Sequence, residues 1–241
     1  MDANTSVRSR RRKANLVFVG VLVLAVAAGA LVWLFRTPQE VHAQSVSAGY
    51  PALRQGAVVT AGKDSAPVTI DVYEDFLCPH CAEFEKKYSE RIRTELDAGR
   101  IKVRYHELPM LQRKPNSDRY SLRAANAALC AADQGGFVSY HETLMHNQPA
   151  EAAPVFDDPK LIAIGHDLGV TAPEFAACVT GQTHFAEVEA AFEQVKVEPA
   201  FQVDRPDGNG RAFRGTPTIA DGGRVLDTDD ERWLTGLVSA S

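Results

Sequence analysis

Apolar and polar positions change period several times along the chain, and each change predicts a different element. Leu16 to Phe35 carries no charge and is almost entirely apolar. Twenty residues at 1.5 Å rise span a ~30 Å hydrocarbon core, so this stretch predicts a transmembrane helix. Pro67 to Phe76 (PVTIDVYEDF) is rich in β-branched and aromatic residues with partial alternation, and predicts a buried or half-buried strand. Beyond Ala82 the period lengthens. Phe84, Tyr88, Ile92 and Leu96 recur every four residues and Gly99 follows as a stop signal, which predicts a helix over 82–98. Ile101 to Leu108 (IKVRYHEL) alternates again, ending at Pro109. Strand, helix and strand then make a βαβ unit.

A long run of helical signals follows: Ser117 to Asp133, Phe137 to Asn147, Asp158 to Leu168, Pro173 to Val179, and His184 to about Val197, punctuated by glycines and prolines. Strand pattern returns at Thr216 to Ala220 and Arg224 to Leu226. Asp221, Gly222 and Gly223 between them predict a hairpin turn. Thr228 to Val238 reads as a closing helix with Thr228 or Asp229 as N-cap.

Charge sharpens the organisation. Arg8, Arg10, Arg11, Arg12 and Lys13 precede the apolar run and only Arg36 follows it closely, so the positive-inside rule places residues 1–15 in the cytoplasm and the rest outside. The expected layout is a basic tail over 1–15, an anchor over 16–35, a linker over 36–56, and one domain of ordinary size beyond. A cleaved signal peptide is the alternative, with a weak site at Val41, His42 and Ala43, but the apolar run exceeds the usual signal-peptide core. Ser9, Arg10 and Arg11 hint at a twin-arginine signal, yet Lys13 and Ala14 stand where apolar residues usually follow. The first 35 residues carry a net +4, which leaves −9 of the total −5 on the remainder. An acidic domain of this kind excludes nucleic acid as a partner, since phosphate binding needs a basic surface.

The chemistry centres on Cys78, Pro79, His80 and Cys81, a CPHC between the predicted strand and helix. A cysteine at a helix N-terminus meets unpaired N–H groups and the positive end of the helix dipole, both of which favour the thiolate. Pro79 suits the first turn, because its missing N–H would have had no intrahelical partner. His80 is expected to add a donor, and when protonated a charge, beside the same sulfur. Cys81, one step further in, is expected to be the more buried, resolving thiol. A stabilised thiolate favours the dithiol and makes the disulfide a better oxidant. A zinc half-site, a static bridge and a chance pair in a solvated loop are the alternatives. Zinc needs four ligands and no second pair stands at finger spacing; the small CxxC loop is readily reduced; the flanking elements argue against the third.

In combination, CPHC after a strand, a helical insertion, and Gly215, Thr216, Pro217, Thr218 before a hairpin resemble the DsbA-like thioredoxin fold over about residues 57–240, most of all the exported actinobacterial type. The resemblance implies an α/β class: a thioredoxin fold over 57–109 and 198–241 with an all-helical insertion over 110–197, preceded by one transmembrane helix. It also implies that Cys78 is the exchanging sulfur, that Cys81 resolves, and that Pro217 is a cis-proline with Thr216 before it, where an extended substrate peptide can pair. Two departures stand out. Val72 occupies the position where many members carry a buried acid, so proton transfer at Cys81 would need Glu74, Asp71 or water, and Glu74 reads as structural or solvated. Asp204 to Arg211 (DRPDGNGR) reads as a solvated insertion near the substrate rim.

With Cys78 and Cys81 as a redox couple, Cys130 and Cys178 remain to pair, an exported location permits a disulfide, and two free buried thiols are the alternative. His141, His146, His166 and His184 show no ligand spacing, His141 and Met145 read as a shared face at the core edge, and His106 has no evident partner. No metal or organic cofactor is expected. The expected function is a membrane-anchored, monomeric thiol:disulfide oxidoreductase with its catalytic domain outside the cell. It would oxidise reduced exported proteins and be reoxidised by a quinone-linked membrane partner resembling vitamin K epoxide reductase. An extracytoplasmic reductase or isomerase, and a peptide-binding module with a purely structural CPHC, are the rivals.

Overall fold

The computed structural model describes residues 40–114, 117–150 and 153–239. The basic tail and the apolar run expected to be an anchor lie outside them, and no helix among the described residues is long and apolar enough to cross a membrane. Strand β3 (Val68–Glu74) runs through the middle of a six-stranded sheet and is buried at every position but Thr69. On one side it pairs in parallel with β4 (Ile101–Glu107), and on the other antiparallel with β7 (Thr218–Asp221). Outside β4 lie β2 (Val58–Gly62) and β1 (Ala52–Gln55), and outside β7 lies β8 (Arg224–Val225), giving the order β1-β2-β4-β3-β7-β8. The β7–β8 turn uses Gly222 and Gly223 at φ 56° and 82°, a region that side chains with a Cβ avoid, as Asp-Gly-Gly predicts.

Helix α1 (Pro79–Asp97) crosses from β3 to β4 and lays Cys81, Phe84, Tyr88, Ile92 and Leu96 into the core. Trp233 of α7 (Trp233–Ser239) packs edge-on against Tyr88, whose hydroxyl donates to the Thr228 carbonyl at 2.8 Å. The expected all-helical insertion is α2 (Tyr120–Asp133), α3 (Phe137–His146), α4 (Asp158–Asp167), α5 (Pro173–Thr180) and α6 (Phe185–Val197). Alanine-rich α2 is buried over nearly its whole length, since small side chains let α3, α5 and α6 approach it together.

Several elements differ from the sequence pattern. The stretch read as linker contributes β1, and its residues 42–46 are strapped along α3. The Asn147 side chain accepts from His42 N (2.9 Å) and donates to His42 O (3.1 Å), Thr143 Oγ1 accepts from Gln44 N, and Ser139 Oγ accepts from Val46 N. Asp204 to Arg211 closes a hairpin between β5 (Gln202–Asp204) and β6 (Arg211–Phe213), exposed as expected but paired at both ends. The closing helix begins at Trp233, because the Asp230 carboxylate takes the Arg232 N–H and holds residues 230–232 in a turn.

Candidate active site

Cys78 sits at the junction of β3 and α1. The chain turns there because the Asp75 carboxylate accepts from Leu77 N (2.8 Å) and from Leu111 N (2.7 Å), while Cys78 N donates to Asp75 O. Cys78 has extended backbone and caps α1, Pro79 occupies its first position, and the Cys78 carbonyl accepts from Cys81 N at 3.0 Å and from the Gln148 side chain at 3.0 Å. Both thiols are free, so the structure describes the dithiol, with Cys78 4% and Cys81 0% exposed.

Across from them, the antiparallel pairing of β7 with β3 sets Thr218 beside Tyr73 and so brings Thr216 and Pro217 to the same end of the sheet as Cys78. The Thr216–Pro217 bond is cis, and Cys78 Sγ lies 3.3 Å from the Thr216 carbonyl oxygen. The neutral thiol can donate to that carbonyl.

The two sulfurs are held in opposite protonation states. Cys78 is pulled down to about 5, first by the hydrogen bond from the Cys81 thiol, then by the Thr216 side-chain hydroxyl and the backbone N–H groups of Cys81 and His80, all against the cost of burial. Cys81 is pushed well above the ordinary thiol range by burial, by its hydrogen bond to Cys78 and by the nearby Glu74 and Cys78 charges. One sulfur is therefore nucleophilic at neutral pH and its neighbour keeps its proton.

The Thioredoxin family model matches residues 55–237, a span that includes the sheet from β2 onward, the CPHC and the proline loop. The chain belongs to the thioredoxin family. It is 30% identical over 186 residues to the serine/threonine-protein kinase PknE of Mycobacterium tuberculosis, a match covering 75% of this chain and 31% of the kinase. The chain thus spans about a third of the length of that curated relative. It is 26% identical over 104 residues to a probable disulfide bond formation protein D of Bacillus cereus, covering 43% of this chain and 46% of that protein. Among solved structures, MdbA, a thiol-disulfide oxidoreductase from Corynebacterium diphtheriae, superposes with a TM-score of 0.66 at 21% identity, covering 80% of this chain and 96% of that one. Oxidised DsbA of M. tuberculosis gives 0.60 at 24% identity, covering 79% and 91%. These likenesses show a DsbA-like thioredoxin fold.

Within this thioredoxin fold the structure brings Cys78, Cys81, Pro79, Thr216 and Pro217 together. It places His80 differently from the sequence reading: the ring is 77% exposed and faces Glu83 Oε2 at 3.2 Å, so the residue serves Cys78 through its backbone N–H. A polar cleft of about 280 Å³ opens beside Pro217, lined among others by Arg214, Thr218, Asp227 and Asp229. Cys130 and Cys178 form a disulfide joining α2 to α5, with Cα atoms 5.8 Å apart.

Four polar residues behave otherwise than their sequence pattern suggests. Glu74 is fully buried, and burial followed by the Cys78 charge pushes its carboxyl well above the usual range. His141 lies in the core between Glu74 and Glu107. Asp71 is tied to Arg104 (2.5 Å) and His106 (2.8 Å), and these bonds hold its carboxyl low against the cost of burial. His106 has this partner and also stacks on Tyr73 at 4.2 Å. The periodicity of β4 and α1 marks two further buried carboxylates. Glu107 continues the buried face of Ile101, Val103 and Tyr105, and Glu85 stands on the α1 stripe between Cys81 and Tyr88. A carboxylate on an apolar face is the mark of a buried site.

Proposed function

We propose that this chain is an extracytoplasmic thiol:disulfide oxidoreductase that introduces disulfides into exported proteins. The observation that carries the reading is the asymmetric pair beside Pro217: a Cys78 that ionises at about 5 next to a buried Cys81 that does not. The charge stabilised on Cys78 lowers the free energy of the dithiol, so electrons flow from client to protein. A client thiolate attacks Cys78 Sγ of the disulfide and Cys81 leaves with the S–S electron pair. The client's second thiolate then attacks its own sulfur in the mixed disulfide, and Cys78 departs as a thiolate. Two electrons move to the protein, and of the two client protons one ends on Cys81 and one in solvent. The 16–35 anchor, the clients outside the membrane and a quinone-linked reoxidant belong to this proposal; the apolar run and the basic tail before it support the first.

The full chain, oxidised, is incubated with a reduced, unfolded disulfide protein, and the C81A chain is used to trap mixed disulfides. Oxidation of the client with trapping through Cys78 is the expected result. Failure to oxidise it, with C81A capturing only a single upstream electron donor, contradicts the oxidase and favours a reductase.

A further inference from the structure

Ser139 and Thr143 of α3 and Asn147 at its C-cap stand four residues apart in turn, so they line one face of the helix. The strap over 42–46 runs along that face in the opposite direction, and the three side chains take the backbone of every second residue. Asn147 accepts from His42 N at 2.9 Å and donates to His42 O at 3.1 Å. Thr143 Oγ1 accepts from Gln44 N at 2.9 Å. Ser139 Oγ accepts from Val46 N at 2.9 Å and donates to Val46 O at 3.3 Å. Two rises that nearly coincide set this register: four helical residues advance about 6 Å and two extended residues about 6.6 Å. A polar ladder at that spacing fits the backbone of any extended chain.

None of these bonds uses a strap side chain. His42, Ala43 and Ser45 are exposed and Gln44 and Val46 half-buried, so the strap offers no buried anchor of its own. The receiving face is the built part, with Thr143 0% and Asn147 9% exposed. It also adjoins the exchange centre. Gln148, next in the chain to Asn147, donates its side-chain amide to the Cys78 carbonyl at 3.0 Å. Summing these two side chains and their bonds puts His42 within ~20 Å of the Cys78 sulfur, about six residues of extended chain.

We propose that the face of Ser139, Thr143 and Asn147 is a peptide-backbone site, which an extended segment of a client takes in place of the strap while the client's cysteine meets Cys78. The inference rests on the oxidoreductase reading and names its substrate class, polypeptide that is still unfolded. A folded protein has its alternate backbone N–H groups paired and cannot offer them to the ladder. Recognition through main-chain bonds gives affinity without demanding a sequence, as suits an enzyme with many clients. The strap is then an occupant in cis, held at high effective concentration by its attachment to β1, and a client binds by displacing it.

The test uses the full chain carrying Gln44→Pro/Val46→Pro, which removes two strap N–H groups and leaves the α3 face unchanged. A fluorescein-labelled peptide of residues 40–48 (EVHAQSVSA) is followed by anisotropy, and the oxidised chain is mixed with a reduced, unfolded disulfide protein or with reduced glutathione. The strap variant is expected to bind the peptide at least about tenfold more tightly than the native chain, whose own strap competes. A scrambled peptide binds within about threefold of it, because the ladder reads backbone. The variant oxidises the unfolded protein several-fold faster than the native chain, whereas glutathione, too short to reach the ladder from Cys78, reacts within about twofold. Adding Ser139→Ala/Thr143→Val abolishes both gains, and Gln44→Ala, which keeps its N–H, behaves as the native chain does. Peptide binding equal in the native and strap-variant chains, an unchanged client rate, or a gain that survives Ser139→Ala/Thr143→Val overturns the proposal. So does a scrambled peptide that fails to bind. Where the double proline variant does not fold, Gln44→Pro alone decides the matter. A chain that oxidises neither glutathione nor the client fails the oxidoreductase reading alone, since peptide binding still reports on the ladder.

Discussion

At the scale of single residues, burial governs the chemistry more than charge count does. Glu85 and Glu107 are both pushed up to about 8, chiefly by burial. In the unfolded chain they titrate near 4.5, so between those values the folded state binds more protons than the unfolded one. Their contribution is complete below about pH 4.5 and is lost as pH rises through about 8, at up to ~1.4 kcal/mol per unit for each group. Chemical denaturation of the chain is therefore expected to show stability falling from pH 5 to 8.5, with Glu85→Gln flattening the slope. A slope unchanged in that variant contradicts the assignment. The sign is opposite for Cys78, whose lowered value stabilises the folded dithiol as pH rises above about 5, with the effect growing up to the ordinary thiol range.

At the scale of elements, the parts that carry chemistry were the most legible in the sequence. The CPHC announced itself by the change from strand to helical period around it, and the proline loop by its place before a Gly-Gly turn. The helices of the insertion follow their apolar spacing to within a few residues. What the pattern did not show depends on partners distant along the chain. Strands β1 and β2 are short; β2 is defined by pairing with β4, some forty residues on, β1 by pairing with β2, and the strap over 42–46 by side chains on and just beyond α3. Glu74 and His141 look polar in sequence, and only the packing of two strands and two helices shows them sharing one apolar space.

The Cys130–Cys178 bridge is an element-scale device, tying the central helix α2 to α5 across 48 residues. In the chain-entropy model a loop of that size stabilises by at most ~4 kcal/mol. Replacing both cysteines by alanine is expected to lower the unfolding free energy by up to an amount of that order while leaving exchange at Cys78 intact. Loss of exchange in a variant that remains folded would show that the bridge takes part in the redox chemistry.

At the scale of the whole molecule, the family match, the sheet topology and the placement of the proline loop agree on one design: the end of a central strand and a helix N-terminus hold one reactive sulfur against the cis-proline loop. The acidic domain and the apolar, basic-flanked N-terminal sequence extend that design to a proposed setting outside the membrane. All of it depends on the unequal protonation of the two thiols. Ionisation of Cys78 at about 5, against a free thiol near 8.5, favours the dithiol at neutral pH by at most ~3 kcal/mol. The direct measurement is the rate of alkylation of reduced protein by iodoacetamide as a function of pH, with the modified sulfur located by peptide mapping. The account predicts a single early modification at Cys78 with a midpoint near 5 and a Cys81 that stays unreactive through neutral pH; a midpoint near 8.5, or equal modification of the two, would contradict it.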